Sequence, residues 1–112
     1  MIRHIVMWRV IGNSQAERLT SAQVVKSSFE ALRGHIPGML SLEVGLDASG
    51  VEYACDVVLV TAFESPEALA AYAIHPEHMR LRQELGDIRT ERYQVDYPIV
   101  PAIVGEAAYG KI

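Results

Sequence analysis

The chain has 112 residues, half of them hydrophobic and 21% charged, with a formal net charge of −4. That length and composition describe one folded domain rather than a disordered segment. The acidic balance, with basic residues scattered along the chain, argues against a nucleic-acid partner, which needs a concentrated basic face.

The N-terminal run between Arg3 and Arg9 is too short to be the apolar core of a secretory signal. It alternates instead: in RHIVMWRV (3–10), His4, Val6, Trp8 and Val10 share one face and Arg3, Ile5, Met7 and Arg9 the other, which predicts a strand with His4 on the apolar side. Ser14 followed by Glu17 forms a capping box. Ala22, Val25, Phe29, Leu32 and Ile36 then recur at helical spacing up to a stop near Gly34, and IPGM (36–39) turns the chain.

LSLEVGLD (40–47) alternates strictly, predicting a half-exposed strand with Leu40, Leu42, Val44 and Leu46 on its buried face. After the DASG loop, CDVVLVTAF (55–63) is apolar on both faces, as a covered central strand is. Cys55 is the only cysteine, so no intrachain disulfide can form and a reducing cytoplasm is the expected compartment. Beside Asp56, which raises a thiol pKa, it reads as a packing residue and not as a nucleophile.

Ser65 caps a second helix with Pro66 in its first turn. Within it, AYAIHPEHMR (71–80) places Pro76 where its ring clashes with the Tyr72 carbonyl and removes the hydrogen bond to that oxygen, while pushing His75 out of the helical region. The helix should break at His75 and restart at Pro76. ERYQVDY (91–97) is the last strand.

The order β-α-β-β-α-β predicts an α+β, ferredoxin-like protomer: an antiparallel sheet with its helices on one face. Its other face stays apolar and uncovered, so a homodimer with sheets face to face is expected. The domain should occupy 1–97, with 98–112 an apolar extension lying on it or on its partner. No stretch is long enough for a membrane span of roughly 20 residues, since YPIVPAIVG (97–105) is short and holds two prolines.

Chemistry concentrates in 71–80. On an unbroken helix Tyr72 and His78, six residues apart, point about 120° away from each other; the break lifts that restriction. His78 falls in the first turn of the new helix, where the positive dipole end favours neutral imidazole, while Glu77 favours the protonated ring. Three readings follow. Tyr72 and His78 can act as hydrogen-bond donor and general base toward an enolisable substrate. Alternatively, Tyr72 is a core aromatic and His75 and His78 simply shape the helix break. In the third, His75 and His78 with His4 bind a metal, a reading weakened by the lack of a carboxylate at ligand spacing.

HIVMWRV, IPGM with LEVGLD, DVVLVTAFESPEALAAYAIHPEH and the closing VDY together resemble the stress-responsive dimeric α/β-barrel (Dabb) family from about Arg3 to Tyr97. The resemblance implies the same fold and a barrel formed across a dimer. Most members have no assigned activity. One, a plant polyketide cyclase, closes a linear poly-β-keto thioester by an aldol step without a cofactor. The positions matching its catalytic pair are Tyr72 and His78, with His4, Asp96 and His75 in support. The resemblance thus implies either a protein of unassigned activity that binds a small hydrophobic or polyketide-like ligand between helices and sheet, or a cofactor-free cyclase.

Overall fold

The alternation at the N-terminus becomes β1, Ile2–Val10, in a computed structural model that describes residues 1–100. His4, Val6, Trp8 and Val10 are buried on one side of it. The remaining elements are α1 (Gln15–Glu30), β2 (Met39–Leu46), β3 (Val57–Phe63), α2 (Pro66–Ala73), α3 (Pro76–Leu85) and β4 (Arg89–Pro98). The four strands pair antiparallel in the order β2-β3-β1-β4, which with the helices makes a ferredoxin-like α+β fold.

Each helix starts where its capping residues dictate. Ser14 Oγ accepts from Glu17 N, Glu17 Oε1 accepts in return from Asn13 N, and Ser65 Oγ accepts from Ala68 N. Helix α1 ends at Glu30, earlier than the periodicity implies. Leu32 and Ile36 are still buried, carried by the turns that follow, so their spacing reports burial rather than helix. Val25, Phe29, Trp8, Leu59 and Phe63 lie at the centre of the core between helices and sheet.

The predicted phase of β2 is wrong at its start. The register shifts between Met39 and Ser41, leaving Leu40 unpaired and half exposed, while Met39 packs on the core in its place. The cause lies one residue earlier. Gly38 has φ +80° and its carbonyl accepts from Glu64 N, so the chain enters β2 already fixed against the end of β3.

The face of the sheet turned away from the helices carries Ile5, Met7, Val58, Val60, Tyr93, Val95 and Tyr97. Of these, Met7, Tyr93, Val95 and Tyr97 are exposed in the single chain. Strand β4 runs to Pro98, one residue past the expected boundary, and Ile99 N donates to Met1 O at 2.8 Å. The rest of the expected apolar extension, 101–112, lies outside the described residues. Among the described residues no helix is long and apolar enough to cross a membrane.

A Cβ at Gly38 would sit 2.6 Å from the Ala68 Cβ, a methyl that cannot rotate away, whereas a Cβ at Gly34, with φ +81°, meets nothing within 4 Å. Gly34→Ala should therefore cost about 1 kcal/mol, the left-handed penalty alone, and Gly38→Ala about 2–4 kcal/mol, the same penalty plus overpacking of about 1–3 kcal/mol. Urea unfolding of both variants at one protein concentration checks the order.

Candidate active site between the broken helix and β4

Pro76 has no N–H to offer the Tyr72 carbonyl, and the backbone around it settles every group that this frees. Tyr72 O accepts from His75 N at 3.1 Å instead. His75 is extended, with ψ 137°, and its Nδ1 caps α3 by accepting from Glu77 N at 3.1 Å. That leaves Ala73 O without the N–H it would have met in a continuous helix, and it accepts from His78 Nδ1 at 3.2 Å. A carbonyl only accepts, so this bond assigns the proton to Nδ1 and leaves Nε2 with the lone pair.

The break brings the two rings together face to face: Tyr72 and His78 stack at 4.3 Å between centroids and 27° between planes. Burial, foremost, lowers the His78 pKa below the ordinary value; the Ala73 carbonyl opposes this, and the Arg82, Arg89 and His4 charges add to the lowering. Neutral imidazole is favoured, as the position in the first turn suggested, though by burial and neighbouring cations. Glu77, expected to pull the other way, is paired with Arg80.

Burial pushes the Tyr72 hydroxyl up to about 12, with Arg89 and Arg92 opposing. No hydrogen bond to that hydroxyl forms among the described residues. No buried side-chain oxygen or nitrogen there lacks a partner, so the hydroxyl is open to the space beside it.

That space is a cavity of about 720 Å³ between α2, α3 and the helix-facing side of β1 and β4. His4, Tyr72, His78 and Asp96 all line it. His4 is 6% exposed and its Nδ1 lies 2.6 Å from Asp96 Oδ1, directly across the β1/β4 ladder, so the carboxylate fixes the His4 tautomer. Gln94 Nε2 donates to the other Asp96 oxygen at 2.8 Å. His75 does not line the cavity; its place is the helix cap. Its Nδ1 and that of His78 are both engaged, and no group of three or more His, Cys, Asp or Glu among the described residues is arranged to hold a metal. Cys55 lies elsewhere, with its thiol pushed up by burial.

Three arginines that look unrelated in the sequence also line the cavity: Arg82 from α3, and Arg89 and Arg92 from β4. Arg89 lies over Trp8 at 5.2 Å and over Phe29 at 5.7 Å from the ring centroids, forming part of the cavity floor. The sequence carries a signal for Arg92 alone. Arg92, Gln94 and Asp96 alternate on the helix-facing side of the last strand, opposite Trp8, Val6 and His4, where a packed core would need apolar residues; a register shift then sets Arg89 opposite Val10 on the same side.

Residues 2–99 match the stress responsive A/B barrel domain (Dabb) family. No curated protein matches the chain. Among solved structures, a dimeric protein of unknown function and ferredoxin-like fold from Bacteroides fragilis superposes with a TM-score of 0.76 at 28% identity, over 88% of this chain and 95% of that one. A hydroxynitrile lyase from Passiflora edulis gives 0.72 at 17% identity, over 91% and 95% of the two chains. An antibiotic biosynthesis monooxygenase gives 0.67 at 16%, over 90% and 100%. Two unrelated reactions on one fold mean that the fold does not choose the chemistry.

Two outcomes are expected from the break. In an NMR titration His78 should have a midpoint below 6.5. The unfolded chain then takes up that proton first as pH falls, so the contribution of His78 to stability is full above about pH 6.5 and is lost as pH drops from there through the folded value. Pro76→Ala lets Ala73 O reclaim the Glu77 N–H. Helical circular dichroism should rise, the stack should open toward the about 120° separation of a continuous helix, and the His78 midpoint should move up as its burial is lost. An unchanged midpoint would show that the break does not set the ring's environment.

Proposed function

The chain belongs to the stress responsive A/B barrel domain family, and from the cavity over its last strand we propose that it binds a small hydrophobic or polyketide-like ligand there. The observation that carries this reading is the cavity's construction. A volume of about 720 Å³ is in the range of small-molecule sites, with an aromatic floor of Trp8 and Phe29 and a few oriented polar groups above it.

A second reading goes further: the protein is a cofactor-free cyclase or lyase of the aldol type. Its support is the Tyr72–His78 stack with its assigned tautomer. His78 Nε2 supplies a neutral base for an acidic C–H between two carbonyls, and the Tyr72 phenol, kept protonated by burial, donates to the oxygen on which enolate charge develops. The His4–Asp96 pair holds a second oriented imidazole beside them. His4 and Asp96 are positioning residues on this reading.

The assembly in which this happens is a homodimer joined through the uncovered sheet faces. The apolar side chains of that face support it, as does the dimeric state of the Bacteroides fragilis protein.

Three measurements test these statements. Trp8, the sole tryptophan, lies on the cavity floor, so its emission should change on titration with aromatic polyketide-like compounds, and Ala73→Leu should weaken that binding. If turnover of a poly-β-keto thioester is detected, Tyr72→Phe and His78→Ala should each lower kcat by about 10²-fold or more; full activity in both would end the cyclase reading. Met7→Asp combined with Val95→Asp should give a monomer by light scattering, and a dimer that survives both would place the interface elsewhere.

A further inference from the structure

We infer that the ligand of this cavity carries a carboxylate, received by Arg82, Arg89 and Arg92. This inference rests on the reading of the cavity as a binding site and specifies the class of molecule it takes.

The argument is electrostatic. Three arginines line one space, and none lies within ion-pair distance of a carboxylate among the described residues, where the ion pairs are His4–Asp96, Arg9–Glu91, Arg80–Glu77 and Arg80–Glu84. The two acidic side chains that reach the cavity already have partners of their own, Glu91 with Arg9 and Asp96 with His4 and Gln94. Arg89 is half-buried, its protonated form is disfavoured first by burial, and the charges of Arg82 and Arg92 disfavour it further. Like charges gathered with no carboxylate in ion-pair contact cost free energy that an arriving anion recovers.

Geometry narrows the anion. The Arg89 guanidinium carbon lies 5.2 Å from the Trp8 ring centroid and 5.7 Å from that of Phe29, so an acid bound to this group sets its own apolar body near the same aromatic floor. The planar guanidinium offers two parallel N–H donors to a planar carboxylate. Behind that anchor, Tyr72 and His78 face the uncharged part of the ligand. The cavity therefore reads as a site with one anionic and one apolar end, not as an evenly hydrophobic pocket.

The test is calorimetric titration of the full-length protein at low ionic strength with cinnamate, its methyl ester and inorganic phosphate. Cinnamate should bind about tenfold or more tightly than the ester. That preference should shrink as salt is added and fall to near unity in an Arg82→Gln/Arg92→Gln variant, both positions being exposed enough for the fold to survive. If the ester matches the acid, the cavity remains a ligand site and the carboxylate assignment is wrong. If phosphate displaces cinnamate at equal concentration, the arginines serve a phosphate and the assignment is again wrong. If neither cinnamate nor its ester binds, the cavity reading falls and this inference with it.

Discussion

One missing hydrogen bond organises the site. Pro76 cannot donate to the Tyr72 carbonyl, and each later arrangement follows from where the released groups find partners. His75 turns extended and caps α3; Glu77 N goes to that cap; Ala73 O, left without Glu77 N, takes the His78 Nδ1 proton. The last step links folding to the site, since a backbone carbonyl chooses the tautomer of the His78 imidazole. Without the proline, the same residues form a longer helix with Tyr72 and His78 on different sides.

The second constraint is the edge position of β4. Strand β1 has a neighbour on each side and is covered by helices, so its helix-facing residues are core: Val6, Trp8 and Val10. Strand β4 pairs with β1 alone, and the helices lean toward the other strands. Its helix-facing residues look into open space, which explains how Arg92, Gln94 and Asp96 can stand opposite Trp8, Val6 and His4 in the ladder without burying unpaired charge. The cavity is thus a by-product of the strand order, and its polarity follows from the residues that an edge strand can carry.

Much of this was legible in the sequence because the relevant rules are local. Alternation gave the face of β1, and Ser14 and Ser65 gave the helix starts. Pro76, with no N–H to donate, marks the break. Leu40 was misread because strict alternation cannot register a bulge, and the bulge depends on a distant contact, Gly38 O with Glu64 N. Leu32 and Ile36 mimic a longer helix because burial and helical spacing leave the same trace. The arginine cluster was invisible for a stronger reason: Arg82 and Arg92 are ten residues apart on different elements, and only the strand order brings them to one space.

These cations also bear on the two titratable rings. Arg82 and Arg89 disfavour a positive His78, and Arg89 and Arg92 favour a negative Tyr72, so their charges push both rings toward losing a proton. Burial acts with them on the histidine and against them on the tyrosine, and it prevails at both: the imidazole stays neutral and the phenol stays protonated. An anion seated among the arginines cancels their contribution at both rings. The phenol is then held more firmly as a donor, and the imidazole becomes a stronger base because its protonated form is no longer repelled. On the proposed carboxylate reading, an anion at the arginines is coupled to both rings through the field of three side chains, with no movement of the backbone required.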